Sequence, residues 1–139
     1  MKKLPIGIQT FDKIIEGDYI YVDKTEYAYN LINDYTYIFL SRPRRFGKSL
    51  FLDTLKSIFE GRKELFEGLY IYDKWDWSKK HPVIKISWAG NFQSLEGLES
   101  SAYENFRKNQ VRLGIECKNE NDAASCFAEL IEMSYKKYN

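Results

Sequence analysis

The sequence of 139 residues predicts an α/β fold, in which a partial parallel sheet is flanked by helices. Two runs of aromatic and β-branched residues, 35–40 and 82–88, have the composition of buried strands. Stretches with apolar residues at helical spacing follow each run. Strands that alternate with helices in this way are typical of parallel sheets, which is why the α/β class is predicted.

Five helices are predicted from apolar residues spaced three and four positions apart. They fall within residues 11–15, 27–32, 50–59, 95–111 and 124–135. With no repeat or low-complexity linker, residues 1–139 are interpreted as part of one domain. Within it, residues 1–34 form an N-terminal segment and residues 35–61 a strand, a loop and a helix. Residues 62–139 hold the second strand and the following helices.

Composition restricts the classes of function. The formal net charge of +1 gives no global field that favours nucleic acid or an anionic membrane. No apolar run approaches the ~20 residues of a membrane helix, and the N-terminus does not read as a secretory signal. Cys117 and Cys126 lack metal-ligating neighbours and read as free thiols of a reducing cytoplasm, with a disulfide between them as the alternative.

The candidate site is the loop at residues 42–49, which reads Arg-Pro-Arg-Arg-Phe-Gly-Lys-Ser between a predicted strand and a predicted helix. A phosphate-binding loop has Gly, four residues, then Gly-Lys-Ser/Thr in the same context. Gly47, Lys48 and Ser49 supply the end of that pattern, whereas Arg42 replaces its first glycine. Backbone N–H groups at the start of the helix would then converge on a phosphate.

This variant Walker A loop predicts binding of ATP with Mg²⁺. Lys48 is expected to reach the β- and γ-phosphates, and the Ser49 hydroxyl to ligate the metal. No catalytic residue is predicted. The predicted nucleotide-binding residues are Arg44, Arg45, Phe46, Gly47, Lys48, Ser49 and Leu50. The alternative is a nucleic-acid-binding module that uses the basic cluster Arg42, Arg44, Arg45 and Lys48 on phosphates.

Other candidates are weaker. Asp23 and Thr25 are expected to cap a helix, while the alternative is that their segment closes over a nucleobase together with Ile6, Gly7 and Phe11. Asp73 and Asp76 lie in a polar stretch and are expected to be solvated. His81 has no second histidine or cysteine near it in sequence, so a metal-binding or catalytic role is not expected.

The chain also resembles the bacterial AAA-ATPase-like family. The resemblance rests on residues 4–7 (Leu-Pro-Ile-Gly), 21–25 (Tyr-Val-Asp-Lys-Thr), the 42–49 loop, and residues 65–71 (Leu-Phe-Glu-Gly-Leu-Tyr-Ile). It is dense from residue 4 to about residue 88. It implies a P-loop NTPase-type sheet, and it implies that Arg42 belongs to the family's own form of the loop.

The resemblance further implies an acidic Walker B strand, and in many members a restriction-endonuclease-like domain. Neither is present in residues 1–139, so the chain is expected to be an N-terminal fragment truncated before the Walker B strand. It is expected to bind ATP weakly without useful turnover. The longer protein would be a cytoplasmic ATPase, without a membrane span, partnered by an effector nuclease domain or nucleic acid. Open apolar strand edges would favour self-association.

Overall fold

The computed structural model describes residues 2–90, 93–119 and 122–138. In these ranges the chain forms five α-helices and one short 3-10 helix. The α-helices are α1 (Phe11–Glu16), α2 (Thr25–Asp34), α3 (Lys48–Phe59), α4 (Leu95–Leu113) and α5 (Ala123–Tyr138), and the 3-10 helix spans Lys63–Phe66. The chain divides into two compact units, Met1–His81 and Pro82–Asn139.

The first unit is built around an apolar cluster that α1, α2, α3 and the 3-10 helix share. Its fully or almost fully buried members are Phe11, Ala28, Ile58, Leu65, Phe66 and Ile71. The rings of Phe11 and Phe66 lie 4.7 Å apart between centroids, which places α1 directly on the 3-10 helix. Half-buried Ile15, Ile32 and Leu55 pack against the cluster three or four positions from Phe11, Ala28 and Ile58, so α1, α2 and α3 each turn an apolar side toward it.

The segment before α2 is held by Asp23 and Thr25. Oδ1 of Asp23 accepts hydrogen bonds from the Thr25 N–H at 2.8 Å and from the Thr25 hydroxyl at 2.7 Å. Oδ2 of Asp23 accepts from the Tyr70 N–H at 2.8 Å, and the Thr25 hydroxyl oxygen accepts from the Ile71 N–H at 3.2 Å. The N-cap residue of α2 is Lys24, which makes no side-chain cap bond, so the expectation that Asp23 and Thr25 cap the helix is wrong in position. Asp23 instead bonds Thr25 at the first position of α2, and the two residues also fix residues 70 and 71 beside it.

The second unit consists of α4 packed against α5. Their shared core includes Phe106, Leu113, Cys126 and Leu130, and the rings of Phe106 and Phe127 stack 5.5 Å apart. The Ser94 side chain caps α4 by accepting from the Gly97 N–H at 3.1 Å. Gly114 ends the helix in the left-handed conformation, with φ of 63°. Asn91 and Phe92, expected from the sequence to lead into α4, lie outside the described residues.

Side chains of α4 hold the extended segment at residues 83–87. The Asn105 and Asn109 amides each bond both the N–H and the C=O of one residue, Ser87 and Lys85 respectively, at 2.8–2.9 Å. Residues four apart on a helix rise about 6.0 Å, and residues two apart on an extended chain span about 6.6 Å. The two spacings match closely enough for successive asparagines to meet alternate residues of the segment.

The predicted parallel sheet of P-loop NTPase type is wrong for this structure. Throughout the described ranges no strand forms, and the only β-type pairing is an isolated parallel bridge between Lys3 and Tyr19. A strand needs a partner strand, and residues 83–87 are bonded to asparagine side chains. Residues 35–40 bend at positions 36 and 37 and pair with no strand among the described residues, and Tyr37 and Phe39 in that segment are 92% and 93% exposed. Strand-like composition alone therefore did not produce a sheet.

None of the helices in the described part of the chain combines the length and the apolarity needed to cross a membrane.

Cys117 and Cys126 are free thiols, both buried between α4 and α5, and the Cys117 thiol donates to the Cys126 carbonyl at 3.1 Å. The pKa of the Cys117 thiol is raised to about 12, mainly by burial and in addition by the neighbouring Cys126 side chain.

Candidate functional site

The 42–49 loop joins residues 35–41 to the first turn of α3. Arg45 and Gly47 have positive φ values of 68° and 75°, so the backbone twice adopts the left-handed conformation within three residues. The first helical bond of α3 runs from the Phe51 N–H to the Gly47 carbonyl at 2.9 Å. Among the described residues, the N–H groups of Lys48, Ser49 and Leu50 have no hydrogen-bond acceptor, as expected for the first turn of a helix. Unpaired N–H groups and the helix dipole favour an anion at this position.

Positive side chains surround this helix start. Arg42, Arg44 and Arg45 are exposed, and Lys48 is half-buried. The Lys48 ammonium is folded back on the loop, where it donates to the carbonyls of Arg42 and Pro43. These bonds keep the loop closed around its own lysine, so a ligand that uses the ammonium must replace two backbone acceptors.

A cavity of about 680 Å³ opens between the loop and the N-terminal segment. Gly47 to Leu50 and two loop arginines, Arg44 and Arg45, lie on one side, and residues 5–9 lie on the other. No Asp or Glu is among the residues that line it. The cavity is therefore cationic and rich in backbone N–H donors, the chemistry that suits a phosphate group.

A buried carboxylate fixes the N-terminal wall of this cavity. Oδ2 of Asp53, on α3, accepts a hydrogen bond from the Phe11 N–H at 2.9 Å, and Asp53 is only 4% exposed. The bond ties the start of α1 to the helix that follows the loop. Residues 5–9 immediately precede α1, so this bond sets where they enter the cavity.

The structure brings most of the predicted nucleotide-binding residues to one cavity. Arg44, Arg45, Gly47, Lys48, Ser49 and Leu50 all line it, whereas the Phe46 side chain is 62% exposed and does not. Their role in binding phosphate stays a prediction. Pro5, Ile8 and Gln9 were not predicted as site residues, although residues 4–7 formed one of the motifs of the family resemblance.

The alternative of a base-covering role for Ile6, Gly7 and Phe11 does not hold for all three. Phe11 is fully buried in the core of the first unit and has no surface left for a ligand. Ile6 and Gly7 instead line the cavity at the loop. The N-terminal segment therefore faces the 42–49 loop, with Phe11 as its structural anchor.

The remaining candidates, Asp73, Asp76 and His81, lie outside the residues that line the loop cavity. Asp73 and Asp76 are exposed as expected, and hydrogen bonds from Ser78 lower the pKa of Asp76. His81 donates its backbone N–H to the Phe59 carbonyl at 2.7 Å, and its ring packs edge-on against the Phe59 ring at 5.8 Å. Within the ranges that the structure covers, no three His, Cys, Asp or Glu side chains are grouped as a metal site would need.

Comparison with known proteins gives a family match over almost the whole chain. Residues 5–139 match the model of the AAA-ATPase-like family, described as predicted AAA-ATPases. A curated relative from Azotobacter chroococcum mcd 1, "Uncharacterized protein in vnfD 5'region", is 53% identical over 136 residues. The match covers 96% of this chain and 26% of the relative, so the chain spans about a quarter of that protein's length. No solved structure matches.

Proposed function

Because the chain belongs to the AAA-ATPase-like family, we propose that it binds ATP, with the triphosphate in the cavity between the 42–49 loop and residues 5–9. The supporting observation is the lining of that cavity. It combines the start of α3, two arginines and Lys48, and it has no carboxylate among its lining residues. A triphosphate carries several negative charges, and it gains from helix N–H groups and from cations together.

Each proposed residue has a defined task. The N–H groups of Lys48, Ser49 and Leu50 donate to phosphate oxygens at the start of α3. The Lys48 ammonium leaves the Arg42 and Pro43 carbonyls and pairs with the β- and γ-phosphates. Arg44 and Arg45 lie on the same cavity and add charge-assisted hydrogen bonds.

Mg²⁺ fits this site through Ser49. Its side chain is exposed at the cavity, and a serine at this position of the loop offers a hydroxyl oxygen of the kind that Mg²⁺ accepts. The ion would neutralise charge between the β- and γ-phosphates when bound. We propose Ser49 as its protein ligand, with phosphate oxygens and water completing the shell.

We propose binding without useful turnover for residues 1–139. Phosphoryl transfer to water needs a carboxylate that holds Mg²⁺ and a group that orients the attacking water. No Asp or Glu lines the loop cavity. In a longer protein, such as the relative that this chain matches in part, we propose that residues elsewhere supply those groups and that an effector nuclease domain or nucleic acid is the partner.

The test is isothermal titration of the chain with Mg-ATP, compared with the variant Lys48→Ala. Charge-assisted hydrogen bonds contribute about 1.5–3 kcal/mol, so the variant is expected to bind about ten- to hundredfold more weakly. Lys79→Ala is the matched control, because Lys79 is exposed and its ion pair with Asp76, at 3.7 Å, lies on the surface. Ser49→Ala is expected to weaken binding with Mg²⁺ and to leave binding in EDTA unchanged.

A parallel titration with a single-stranded oligonucleotide distinguishes the nucleic-acid alternative. Affinity for the oligonucleotide that falls steeply with salt, together with no heat from Mg-ATP, would replace ATP binding by phosphate-backbone binding at Arg42, Arg44 and Arg45. Equal affinity of wild type and Lys48→Ala for Mg-ATP would show that the 42–49 loop does not bind the triphosphate. Phosphate release by the chain that disappears in Lys48→Ala would overturn the proposed lack of turnover.

A further inference from the structure

We propose that a second, apolar cavity beside the loop takes the purine base of the nucleotide and recognises it by packing. The inference rests on the proposed function, since it concerns the same ligand. It assigns a ligand-binding role to Tyr21, Val22 and Lys24, which belong to the 21–25 motif of the family resemblance. It also predicts how strongly the site distinguishes one purine from another.

The second cavity adjoins the first. Pro5, Gly47 and Leu50 line both cavities, so a ligand with phosphates at the start of α3 can continue past these residues without leaving the protein surface. The other residues that line the second cavity come from α1, residues 20–24 and α3. They are Ile14, Ile20, Tyr21, Val22, Lys24, Phe51 and Thr54.

The size of the second cavity suits one ring system. Its volume is about 180 Å³, below the ~300–1,000 Å³ of sites that hold a whole drug-sized ligand. The first cavity, of about 680 Å³, is large enough for the triphosphate and the sugar. A flat heterocycle attached to a phosphate chain matches this pair of cavities, one small and apolar and the other large and cationic.

The walls of the base cavity are held in place by the core. The Tyr21 ring packs edge-on against Phe11 at 5.2 Å between centroids. The Thr54 hydroxyl donates to the Leu50 carbonyl at 3.0 Å, and Thr54 is fully buried. Asp23, between the wall residues Val22 and Lys24, is bonded to Thr25 and Tyr70. The cavity is thus preformed, which reduces the ordering cost of binding a flat ring.

The lining also predicts weak selection between purines. The polar side chains among its lining residues are Tyr21, Lys24 and Thr54, and the Thr54 hydroxyl donates to the Leu50 carbonyl. No Asp, Glu, Asn or Gln side chain lines the base cavity, so none offers the carboxylate or carboxamide group that pairs with a base edge. Apolar pockets discriminate weakly between ligands of similar shape, whereas sites that hydrogen-bond a polar group reject its absence strongly. ATP and GTP are therefore expected to bind with affinities within about tenfold of each other.

The experiment titrates the chain with Mg-ATP, Mg-GTP and Mg-tripolyphosphate, in wild type and in Val22→Trp. Val22 is 69% exposed at the cavity, so a tryptophan there fills the cavity without entering the core. Both nucleotides are expected to bind wild type about ten- to hundredfold more tightly than tripolyphosphate, the contribution of one packed base. Val22→Trp is expected to lose that advantage and to keep its affinity for tripolyphosphate. The matched control is Val111→Trp, since Val111 is 85% exposed on α4 in the second unit.

Failure of this inference differs from failure of the proposed function. Equal affinities for ATP and tripolyphosphate, or ATP affinity unchanged in Val22→Trp, would overturn the base cavity and leave phosphate binding at the loop intact. A preference of more than tenfold for ATP over GTP would overturn recognition by packing. Absence of binding by all three ligands would overturn the proposed function and this inference with it.

Discussion

Asn109 of α4 replaces a partner strand for Lys85. Its Oδ1 accepts from the Lys85 N–H and its Nδ2 donates to the Lys85 carbonyl, both at 2.8 Å, and Asn109 is 2% exposed. Arg112 donates to the Asn109 Oδ1 at 2.6 Å and also to the Val83 carbonyl. The extended segment is therefore held by side chains of a helix where a sheet was predicted.

Asn109→Leu is expected to lower the free energy of unfolding by about 1–3 kcal/mol, because it removes two hydrogen bonds to the half-buried backbone of Lys85. Urea denaturation followed by circular dichroism measures the loss. Asn30→Leu is the control, since Asn30 is exposed on α2. Equal stability of the two variants would show that the asparagine bonds to Lys85 contribute nothing.

Asp53→Ala is expected to destabilise the chain by about 1.5–3 kcal/mol, because the Phe11 N–H loses a charged acceptor in a buried position. Asp53→Asn keeps an acceptor oxygen and is expected to lose less. Chemical denaturation of both variants is compared with that of Asp73→Ala, whose side chain is exposed. The prediction fails if Asp53→Ala unfolds at the same urea concentration as this control.

Tyr21 makes stability depend on alkaline pH. Burial is the largest cause that raises the pKa of Tyr21, and the Asp23 carboxylate raises it further. A group with a raised folded-state pKa stabilises the fold fully below its unfolded pKa of about 10 and loses that contribution as pH rises through the folded value. Tyr21→Phe is therefore expected to show a smaller fall in stability above pH 10 than wild type. Urea titrations from pH 8 to 11 measure this fall. Tyr37 is 92% exposed, so Tyr37→Phe serves as the control and is expected to lose as much stability above pH 10 as wild type.

The Cys117 thiol is expected to react slowly in the folded chain. Burial raises its pKa to about 12, and the thiolate is the nucleophile, so little of it is present at pH 8. Labelling by iodoacetamide at pH 8 is expected to be complete only after unfolding in urea. Cys126→Ser leaves Cys117 as the single thiol and assigns the rate; modification of this variant as fast as a free cysteine would refute the prediction.

Self-association is expected through the exposed aromatic segment at residues 35–40. Tyr37 and Phe39 are 92% and 93% exposed, and adjacent exposed apolar side chains favour contact between copies. Sedimentation velocity is expected to show oligomers of wild type that Tyr37→Lys combined with Phe39→Lys reduces. Val111→Lys removes an equally exposed but separate apolar residue and serves as the control. If wild type sediments as a monomer at all concentrations, residues 35–40 do not form an interface between copies of the chain.

The helices were predictable because their signals are local. The spacing of Phe11 and Ile14, of Ala28 and Leu31, and of Ala102 and Phe106 marks faces that each helix forms by itself. The absence of strands could not be predicted from local signals, since a strand forms only when it pairs with another strand, which lies far along the chain or outside it. Residues 35–40 have a strand's composition and no partner strand among the described residues, while residues 83–87 bond to Asn105 and Asn109 instead.

The candidate site was predictable in part for the same reason. The 42–49 loop is contiguous, so its pattern could be read directly from the sequence. Its opposite wall depends on a bond between Phe11 and Asp53, which are 42 residues apart, and no local pattern predicts such a bond. The base cavity likewise gathers residues of α1, α3 and the 20–24 segment, which only the tertiary fold brings together.

The Lys48 ammonium is retained on the carbonyls of Arg42 and Pro43, whereas the proposed phosphate binding requires it to be released. A ligand that requires the released state binds with an apparent dissociation constant equal to the intrinsic one divided by the released fraction. Each tenfold preference for the retained state weakens the apparent affinity by about tenfold. Any contact that holds the Arg42 and Pro43 carbonyls elsewhere would raise the affinity for phosphate without touching the phosphate itself.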